Sequence, residues 1–557
     1  MDDLATTVRD WIAADPDPAT RRELEDLLAI GNSDELARRF DAPLRFGTAG
    51  LRGRVEAGPG GMNRLTVRRA TQGVAGWLRA MGPEMVARGV VVGRDARRGS
   101  EDFNDEVVAV LLGAGIPVFE MPRPLPTPLV AFAVRGLHAA AGIMITASHN
   151  PPDDNGYKLY DHDGAQIIPP HDEIVEVGMR DAGEPVLGAR GSDLYQHLGH
   201  DIVDAYVAHM AANHGLSTPS ALRIAYTPLH GVGGETATAL LNRSGFRHVD
   251  ITTTQFQPDP AFPTLPFPNP EEPGALDHVM AVATAANADL VIANDPDADR
   301  LGAAIPTATG EWRALRGDEI GWLLGAATLR RGVADGDVIA TTIVSSSMLS
   351  RMAAVAGVPF SETLTGFKWI SRAGWSAGGS LAFGYEEALG YAVDPAVADK
   401  DGMSAAVVLA RLAHELSLEG RTLGDLLDDL ACEHGVHAVD ALTVRYSGAN
   451  YAAVIAASLA RLRSAPPESL GGLGVSEVVD LATGLHGLPP TEGLLLRLGE
   501  RGRVVVRPSG TEPKLKSYLE VTSAPLQRDD LATRRDDTSR LLAAVKEDLG
   551  RVLQATT

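Results

Sequence analysis

Short apolar runs that stop at turn residues recur along this chain, and stretches with helical spacing follow them. Residues 139–145, AAAGIMI, read as a short buried strand. Asn150-Pro151-Pro152 ends any regular element after it, because proline lacks an N–H and restricts its neighbour. Asp154-Asn155-Gly156 adds a second turn signal. Ser148 is therefore expected on a loop just past a strand, where a rigid scaffold commonly places chemistry.

The same grammar divides the chain into four segments, 1–215, 216–332, 333–435 and 436–557. The first opens with an acidic helical region and carries the apolar run GVVVGRD at 89–95, then EDFNDEVVAVLLGAGI at helical spacing. In the second, LRIAYTPLHGVGG reads as strand then glycine turn, and ADLVIANDPDADRLGAAI and a helix near GDEIGWLLGAATL close it. The third holds DVIATTIVSSSML and SLAFGYEEALGYAV, with helices ending near His434. Strands alternating with helices predict α/β units with mixed or mainly parallel sheets for these three. The fourth, with RGRVVVRPSGTEPKLKSYLEVTS around a turn and a terminal helix, reads as a smaller α+β unit.

Composition narrows the function classes. A length of 557 residues fits about three to five domains. No run of eighteen apolar residues is present, so no membrane span is expected. The acidic start, MDDLATTVRDWIAADPD, lacks the pattern of a signal peptide, and the single cysteine, Cys432, fits a reducing cytoplasm. A net charge of −22 argues against nucleic acid and anionic membranes as partners. A phosphate ester would need basic residues gathered locally, so clusters of Arg, Lys, Ser and Gly carry the interest.

Asp295-Pro-Asp-Ala-Asp-Arg300 follows the buried run LVIAN. In an extended segment residues two apart share a side, so Asp295, Asp297 and Asp299 converge. Close carboxylates repel unless a cation joins them, and a hard divalent ion, most naturally Mg²⁺, resolves the conflict. Beside them, Arg300 could hold a phosphate or substrate oxygen. Arg507-Pro-Ser509-Gly510-Thr511 combines an arginine, two hydroxyls and a glycine turn into an anion cradle, with Lys514 and Lys516 nearby; an ordinary hairpin loop is the competing reading. Glu386 and Glu387 in GYEEALG could accept hydrogen bonds from sugar hydroxyls, or be solvated glutamates at a helix start. Lys368 in TGFK offers a cation, against an ordinary surface lysine. RFGTAGLRG, with Arg45 and Arg52, and GRDARRG at 93–99 are further basic loops; the structural reading is preferred for the second, as it is for His230. His149 neighbours Ser148, but adjacent residues of an extended chain point apart, which argues for a structural hydrogen bond rather than a hydrolase base. Walker A, HExxH and G-x-S-x-G patterns are absent from the sequence.

Taken in order, TASHNP, DPDADR, GYEEALG and RPSGT resemble the α-D-phosphohexomutases, the phosphoglucomutase and phosphomannomutase family. The resemblance spans nearly the whole chain, with one signature loop per segment, and FGTAGLRG and GYEEALG look most like its longer phosphoglucomutase/phosphopentomutase-like branch. It implies three related α/β domains and a smaller fourth around a central cleft. It also implies Ser148 as a phosphoryl carrier, and Mg²⁺ on Asp295, Asp297, Asp299 and the phosphorylated Ser148. Lys158 and Arg52 fall to acid/base work. Glu386 with Glu387, Lys368 and Arg300 fall to the sugar, and Arg507, Ser509, Gly510 and Thr511 to its non-reacting phosphate. The implied reaction interconverts hexose 1- and 6-phosphates, glucose before mannose, through a 1,6-bisphosphate, with glucose 1,6-bisphosphate as activator. Such an enzyme is expected as a cytoplasmic monomer or homodimer. A pentose phosphate mutase and a non-catalytic sugar-phosphate sensor are the alternatives. A phosphatase using the DPDAD loop lacks the D-x-D-x-T form, since Asp299 stands at the hydroxyl position. One departure is Ala388, where many family members have serine.

Overall fold

The computed structural model describes residues 2–47, 50–446, 451–485, 487–509 and 514–554. It contains two compact units, Met1–Leu315 with Leu389–His414, and Arg316–Ala388 with Glu415–Thr557.

In the first unit, a six-stranded sheet runs in the order Leu51–Arg54, Asp154–Asp161, Ala141–Ile145, Val90–Arg94, Val118–Glu120 and Tyr195–His197. The first two pairings are antiparallel and the rest parallel. Its central strands are apolar at consecutive positions because both faces are covered. Val90, Val92, Ile143 and Ile145 pack with Val74, Trp77 and Leu78 of helix Arg64–Met81 and with Val107 and Leu111 of helix Ser100–Gly113. On the other side, a Cβ on Gly93 or Gly142 would meet Val130 or Val134 of helix Thr127–Gly136. That helix-forming stretch starts on Thr127-Pro128, where proline's missing N–H is harmless.

A second sheet, in the same unit, has the order Trp312–Ala314, Gly302–Pro306, Leu290–Ala293, Ser220–Thr227 and Phe246–Ile251. Leu290–Ala293 pairs parallel with Ser220–Thr227 and antiparallel with Gly302–Pro306, so this sheet is mixed as well. Three helices precede the first sheet, Asp2–Ala14, Pro18–Ala29 and Ser33–Phe40; they bury Val8, Trp11, Leu24 and Leu36 against Ala57 and Leu65.

Within the second unit, Phe360–Thr363, Val338–Thr342 and Leu381–Glu386 are parallel neighbours. A five-stranded antiparallel sheet, His437–Arg445, Lys514–Thr522, Gly502–Pro508, Leu494–Arg497 and Glu477–Asp480, carries helices Tyr451–Ser464 and Leu531–Gln554. Three α/β sheets and an α+β C-terminal part are thus present, as the alternation of elements predicts. Among the described residues, no helix is long and apolar enough to cross a membrane.

Two local readings are corrected. Asp154-Asn155-Gly156 is the start of strand Asp154–Asp161, not a turn. The Asn155 Nδ2 group donates to Arg98 O and Ser100 Oγ, both at 2.9 Å, while its Oδ1 accepts from Gly156 N at 2.7 Å. Helix Gly317–Arg331, read from the sequence as closing the second segment, packs on strand Leu381–Glu386. Helical periodicity says which face is buried, not which sheet buries it.

The N-terminal turn of that helix holds Asp318, buried, with Oδ1 accepting from Ser346 N and Tyr385 Oη, both at 2.8 Å. Burial pushes this carboxyl up to about 6, despite the two donors. The folded state then binds the proton more tightly than the unfolded chain, so this group's contribution is full at low pH and is lost as pH rises from about 4 to 6. Relative to wild type, Asp318→Asn should therefore gain up to about 3 kcal/mol of urea-unfolding free energy between pH 4 and pH 7. A difference that stays flat over that range would mean Asp318 titrates like an exposed carboxylate.

Candidate active site

Ser148 follows strand Ala141–Ile145 and is 1% exposed. Its φ of 52° is left-handed, an uncommon setting for a residue other than glycine. The conformation is fixed locally: Ser148 N–H donates to Thr146 Oγ1 at 2.9 Å, and Asn150 N–H to Ala147 O at 3.1 Å. Ser148 Oγ donates to Asp295 Oδ2 at 2.6 Å. His149 Nδ1 lies 3.2 Å from the same hydroxyl, because the left-handed turn removes the extended geometry that would point the neighbours apart. Burial, then Arg300 and Arg52, push His149 well below its usual range, so it is neutral. Among the described residues its hydrogen bond to Ser148 is the one it makes, so no carboxylate orients it as in a hydrolase triad.

Asp295, Asp297 and Asp299 follow strand Leu290–Ala293 and are all buried, with ligand oxygens within 4.8 Å of one another. The convergence expected from the sequence is present, but by a different geometry. The segment is a turn, with Ala298 N–H donating to Asp295 O at 2.8 Å and Ala298 at φ 55°. The second sheet's glycine turn presses on it: a Cβ on Gly231 would sit 2.3 Å from Pro296 Cα, and Val232 N–H donates to Pro296 O at 2.8 Å. From the first sheet, Thr127 donates to Asp297 through N–H and through Oγ1, the latter to Oδ2 at 2.6 Å.

Lysines answer the negative charge. Lys158, fully buried on strand Asp154–Asp161, donates to Asp297 Oδ2 at 2.8 Å and Asp299 Oδ2 at 2.6 Å. Lys400 lies 3.5 Å from Asp299 Oδ2. Burial and the Asp299 charge push Asp297 up, but Lys158 and Thr127 outweigh them and hold it below the usual carboxylate range. Burial likewise opposes Asp299, and Lys158, Lys400 and Arg300 depress it far below that range. Asp295 goes the other way, raised by burial and by its two carboxylate neighbours. Lys158 stays protonated, since the two aspartates outweigh its burial. Arg52 lies on strand Leu51–Arg54 opposite Gly156, hence on the face that Lys158 also uses. It donates to Asn150 Oδ1 at 3.2 Å, and among the described residues its buried Nε has no hydrogen-bond partner. Arg300 places Nε 3.9 Å from Asp299 Oδ1 and 4.0 Å from Asp295 Oδ2. Among the described residues, no hydrogen bond reaches the buried Asp297 Oδ1 and Asp299 Oδ1. Three oxygen donors with two unspent buried lone-pair carriers fit a hard divalent cation.

The second unit holds the other expected residues. Glu386 ends strand Leu381–Glu386, and Glu387 Oε2 accepts from Ser345 Oγ at 3.2 Å. Arg507 lies on strand Gly502–Pro508 opposite Lys516. The Tyr518 hydroxyl feels Glu387, Arg507 and Glu386 together, so these three converge within this unit. Burial is the larger reason that its pKa is raised. Ser509 N–H donates to Lys514 O at 2.9 Å. Gly510 and Thr511 lie outside the described residues. Lys368 sits on the short helix Phe367–Ile370, its Nζ 6.0 Å from the Trp369 ring centre.

Models of the four phosphoglucomutase/phosphomannomutase domains match in order: alpha/beta/alpha domain I over 43–184, II over 204–309, III over 316–433, and the C-terminal domain over 459–531. The chain belongs to the phosphoglucomutase/phosphomannomutase family. It is 37% identical over 502 residues to a Haemophilus influenzae protein named "Probable phosphomannomutase", covering 89% of this chain and 98% of that one. It is 34% identical to the phosphopentomutase of Mus musculus, over 96% of this chain and 93% of the relative. It is 33% identical to the glucose 1,6-bisphosphate synthase of Homo sapiens, over 98% and 94%. A solved structure of a phosphoglucomutase/phosphomannomutase family protein from Burkholderia thailandensis shares the fold, with a TM-score of 0.69 at 23% identity, covering 92% of this chain and 97% of that one. Family membership makes this chain an enzyme of the mutase class.

In this family member, sequence reasoning missed Lys400, Thr127 and Tyr518. Lys400 lies in an acidic stretch, VADKDG, where a lysine reads as a surface counter-charge. It reaches Asp299 because a Cβ at Gly402 would fall 2.0 Å from Arg300 O, so the chain passes hard against the DPDADR loop. His230 is structural, its Nε2 2.8 Å from Thr264 Oγ1.

If Lys158 is the counter-charge of the aspartates, Lys158→Met should cost about 3–5 kcal/mol of unfolding free energy in EDTA. A millimolar divalent cation should then stabilise the variant more than wild type. Equal stability with and without the cation in both proteins would remove Lys158 from this role.

Proposed function

We propose that this chain interconverts phosphosugars through a phosphoryl group carried on Ser148. One observation carries the reading: the buried Ser148 Oγ lies 2.6 Å from one of three clustered carboxylates that a buried lysine faces. A hydroxyl meant for hydrolysis would be paired with an oriented base, whereas this one is paired with a cation-binding group. Asp295, Asp297 and Asp299 would hold Mg²⁺, with a phosphorylated Ser148 completing the set. When bound, the ion supplies positive charge against the phosphate oxygens and makes the serine oxygen a better leaving group.

The chain's own residues do the rest. In the first transfer the bond from phosphorus to Ser148 Oγ breaks and a bond to a sugar hydroxyl oxygen forms. The departing serine oxygen takes up the proton that Lys158 holds at Nζ, and the attacking sugar hydroxyl gives up its own proton, which restores Lys158. Arg52 and Arg300 supply fixed positive charge for the phosphate oxygens. After the sugar bisphosphate turns round, its other phosphate returns to Ser148. Glu386 and Glu387, with Lys368, are assigned to sugar hydroxyls common to both orientations. Arg507 and Ser509, with Gly510 and Thr511, are assigned to the phosphate that does not react.

Glucose and mannose phosphates are the hexose substrates this reading names, with glucose 1,6-bisphosphate as primer. A pentose phosphate is a second reading. It is supported by relatives named phosphopentomutase that align over 96% of this chain at 33–34% identity.

Phosphorus NMR tests both. Wild type with Mg²⁺ and a trace of the matching bisphosphate should convert one of glucose 1-phosphate, mannose 1-phosphate or ribose 1-phosphate to its terminal phosphate. Ser148→Ala should convert none, a loss of at least about 10⁴-fold. Activity of Ser148→Ala near wild type would end the carrier role, and free phosphate without isomer would indicate a phosphatase.

A further inference from the structure

We infer that Arg97, in the GRDARRG loop, is the positioning residue that fixes the Ser148 backbone; the inference rests on the reading of Ser148 as phosphoryl carrier. Arg97 is 4% exposed and points its guanidinium into the Ser148 loop. One nitrogen, Nη2, donates to Ser148 O and Asn150 O, both at 2.6 Å. The other, Nη1, donates to Pro151 O at 2.7 Å and Asp154 O at 3.1 Å. A single side chain thus satisfies four carbonyls of a seven-residue stretch that forms no helix and only begins a strand. Among the described residues, no backbone N–H donates to the carbonyl of Ser148 or Asn150. Without the arginine the buried Ser148 carbonyl would be unsatisfied, and the half-buried Asn150 carbonyl would lose its protein donor.

The clamp matters because Ser148 sits at φ 52°. A left-handed serine costs about 1–2 kcal/mol and persists only where its surroundings over-determine it. The direction of Cα–Cβ, and so the 2.6 Å approach of Oγ to Asp295, follows from that backbone setting. Arg97 suits the task because its planar fork can address four oxygens at once, which an ammonium cannot. It is itself held firmly. Its N–H donates to Asp95 Oδ1 at 2.9 Å, its Nε lies 3.5 Å from Asp95 Oδ2, and its guanidinium carbon sits 5.0 Å from the centre of the Phe262 ring. Arg97, Pro296, Gly231 and Phe262 line one small cavity, so the arginine lies near the turn that carries the three aspartates. Its hydrogen bonds tie the serine loop to one rigid group. The carrier oxygen then keeps its place whether it bears a proton or a phosphoryl group. The role replaces the purely structural one that the sequence suggests for GRDARRG.

The experiment compares the full-length wild type with Arg97→Ala and Arg97→Lys. Amide hydrogen exchange is read over residues 146–155, and kcat and KM are read on whichever phosphosugar wild type converts. In Arg97→Ala, exchange in the loop should rise about tenfold or more while the strands of both units keep their protection. Its kcat should fall about 10²-fold with KM within about threefold, since a misplaced carrier affects transfer rather than binding. Guanidinium ion at tens of millimolar should restore part of that kcat in Arg97→Ala, and none in Ser148→Ala. Arg97→Lys, which keeps the charge and covers a failure of the alanine variant to fold, should still lose about tenfold in kcat. Unchanged loop exchange in a folded variant overturns the inference, as does a lysine variant as active as wild type. Should wild type convert no phosphosugar, the carrier reading fails on its own, and the exchange measurement still decides whether Arg97 holds the loop.

Discussion

Three aspartates buried within 4.8 Å of one another set the terms for the rest of this enzyme's first unit. Such a cluster is tolerable only if positive charge or a shared proton lies against it. The positive charge comes from separate parts of the chain: Lys158 from the first sheet, Lys400 from the segment Leu389–His414, and Arg300 from the turn itself. Of the three, Asp295, which among the described residues has no lysine partner, is the carboxyl whose pKa rises, and it is the one that meets Ser148. The division is electrostatic. Lysines hold two of the carboxylates in the charged form, and the third accepts from the serine hydroxyl.

Holding that arrangement requires backbone settings that ordinary elements do not supply. Ser148 and Ala298 both adopt positive φ, on the two loops that face each other across the Ser148–Asp295 hydrogen bond. Gly231 lets a third turn press on the aspartate turn without a side chain between them. Phosphoryl transfer depends on placement and on fixed charge, so rigid, strained loops on buried strands suit it better than mobile ones. Although the chain carries a net charge of −22, a few buried basic side chains, Lys158, Arg97, Arg300 and Lys400, lie at the serine loop and the aspartate turn, the local balance an acidic protein needs to receive a phosphate ester.

In the second unit the chemistry is of a different kind. Burial raises the pKa of the Tyr518 hydroxyl, with Glu387 and Glu386 adding to the rise and Arg507 opposing it, so acceptors and a cation act on one group. Ser345 links to Glu387 through its hydroxyl, while its carbonyl accepts from Arg503. Arg503 in turn pairs with Glu362 at 2.7 Å and Glu520 at 3.1 Å, joining the parallel strands to the antiparallel sheet. Asp318, bonded to Tyr385 of the strand that ends at Glu386, is buried in the same unit, and burial raises its carboxyl to about 6.

Element order and the candidate chemistry were legible in the sequence, because apolar runs, glycine turns and the residues of DPDADR and TASHNP are local properties. The run AAAGIMI could be read as a buried strand from its composition alone, and the three aspartates at the end of a buried run could be read as a candidate cation site. Where a reading depended on local geometry it failed: Asp154-Asn155-Gly156 became a strand, and the aspartates met through a turn rather than an extended segment. The resemblance placed Ser148 with the aspartates, but the partners of Lys158 and Arg97 were not legible. Lys158 lies 139 residues from Asp297, and Arg97 51 residues from Ser148, and nothing in either stretch names its partner. Composition and spacing decided which groups this protein has to offer. Only tertiary packing decided which of them share a buried space, because that depends on how sheets and loops are stacked and not on the order of residues within any one of them.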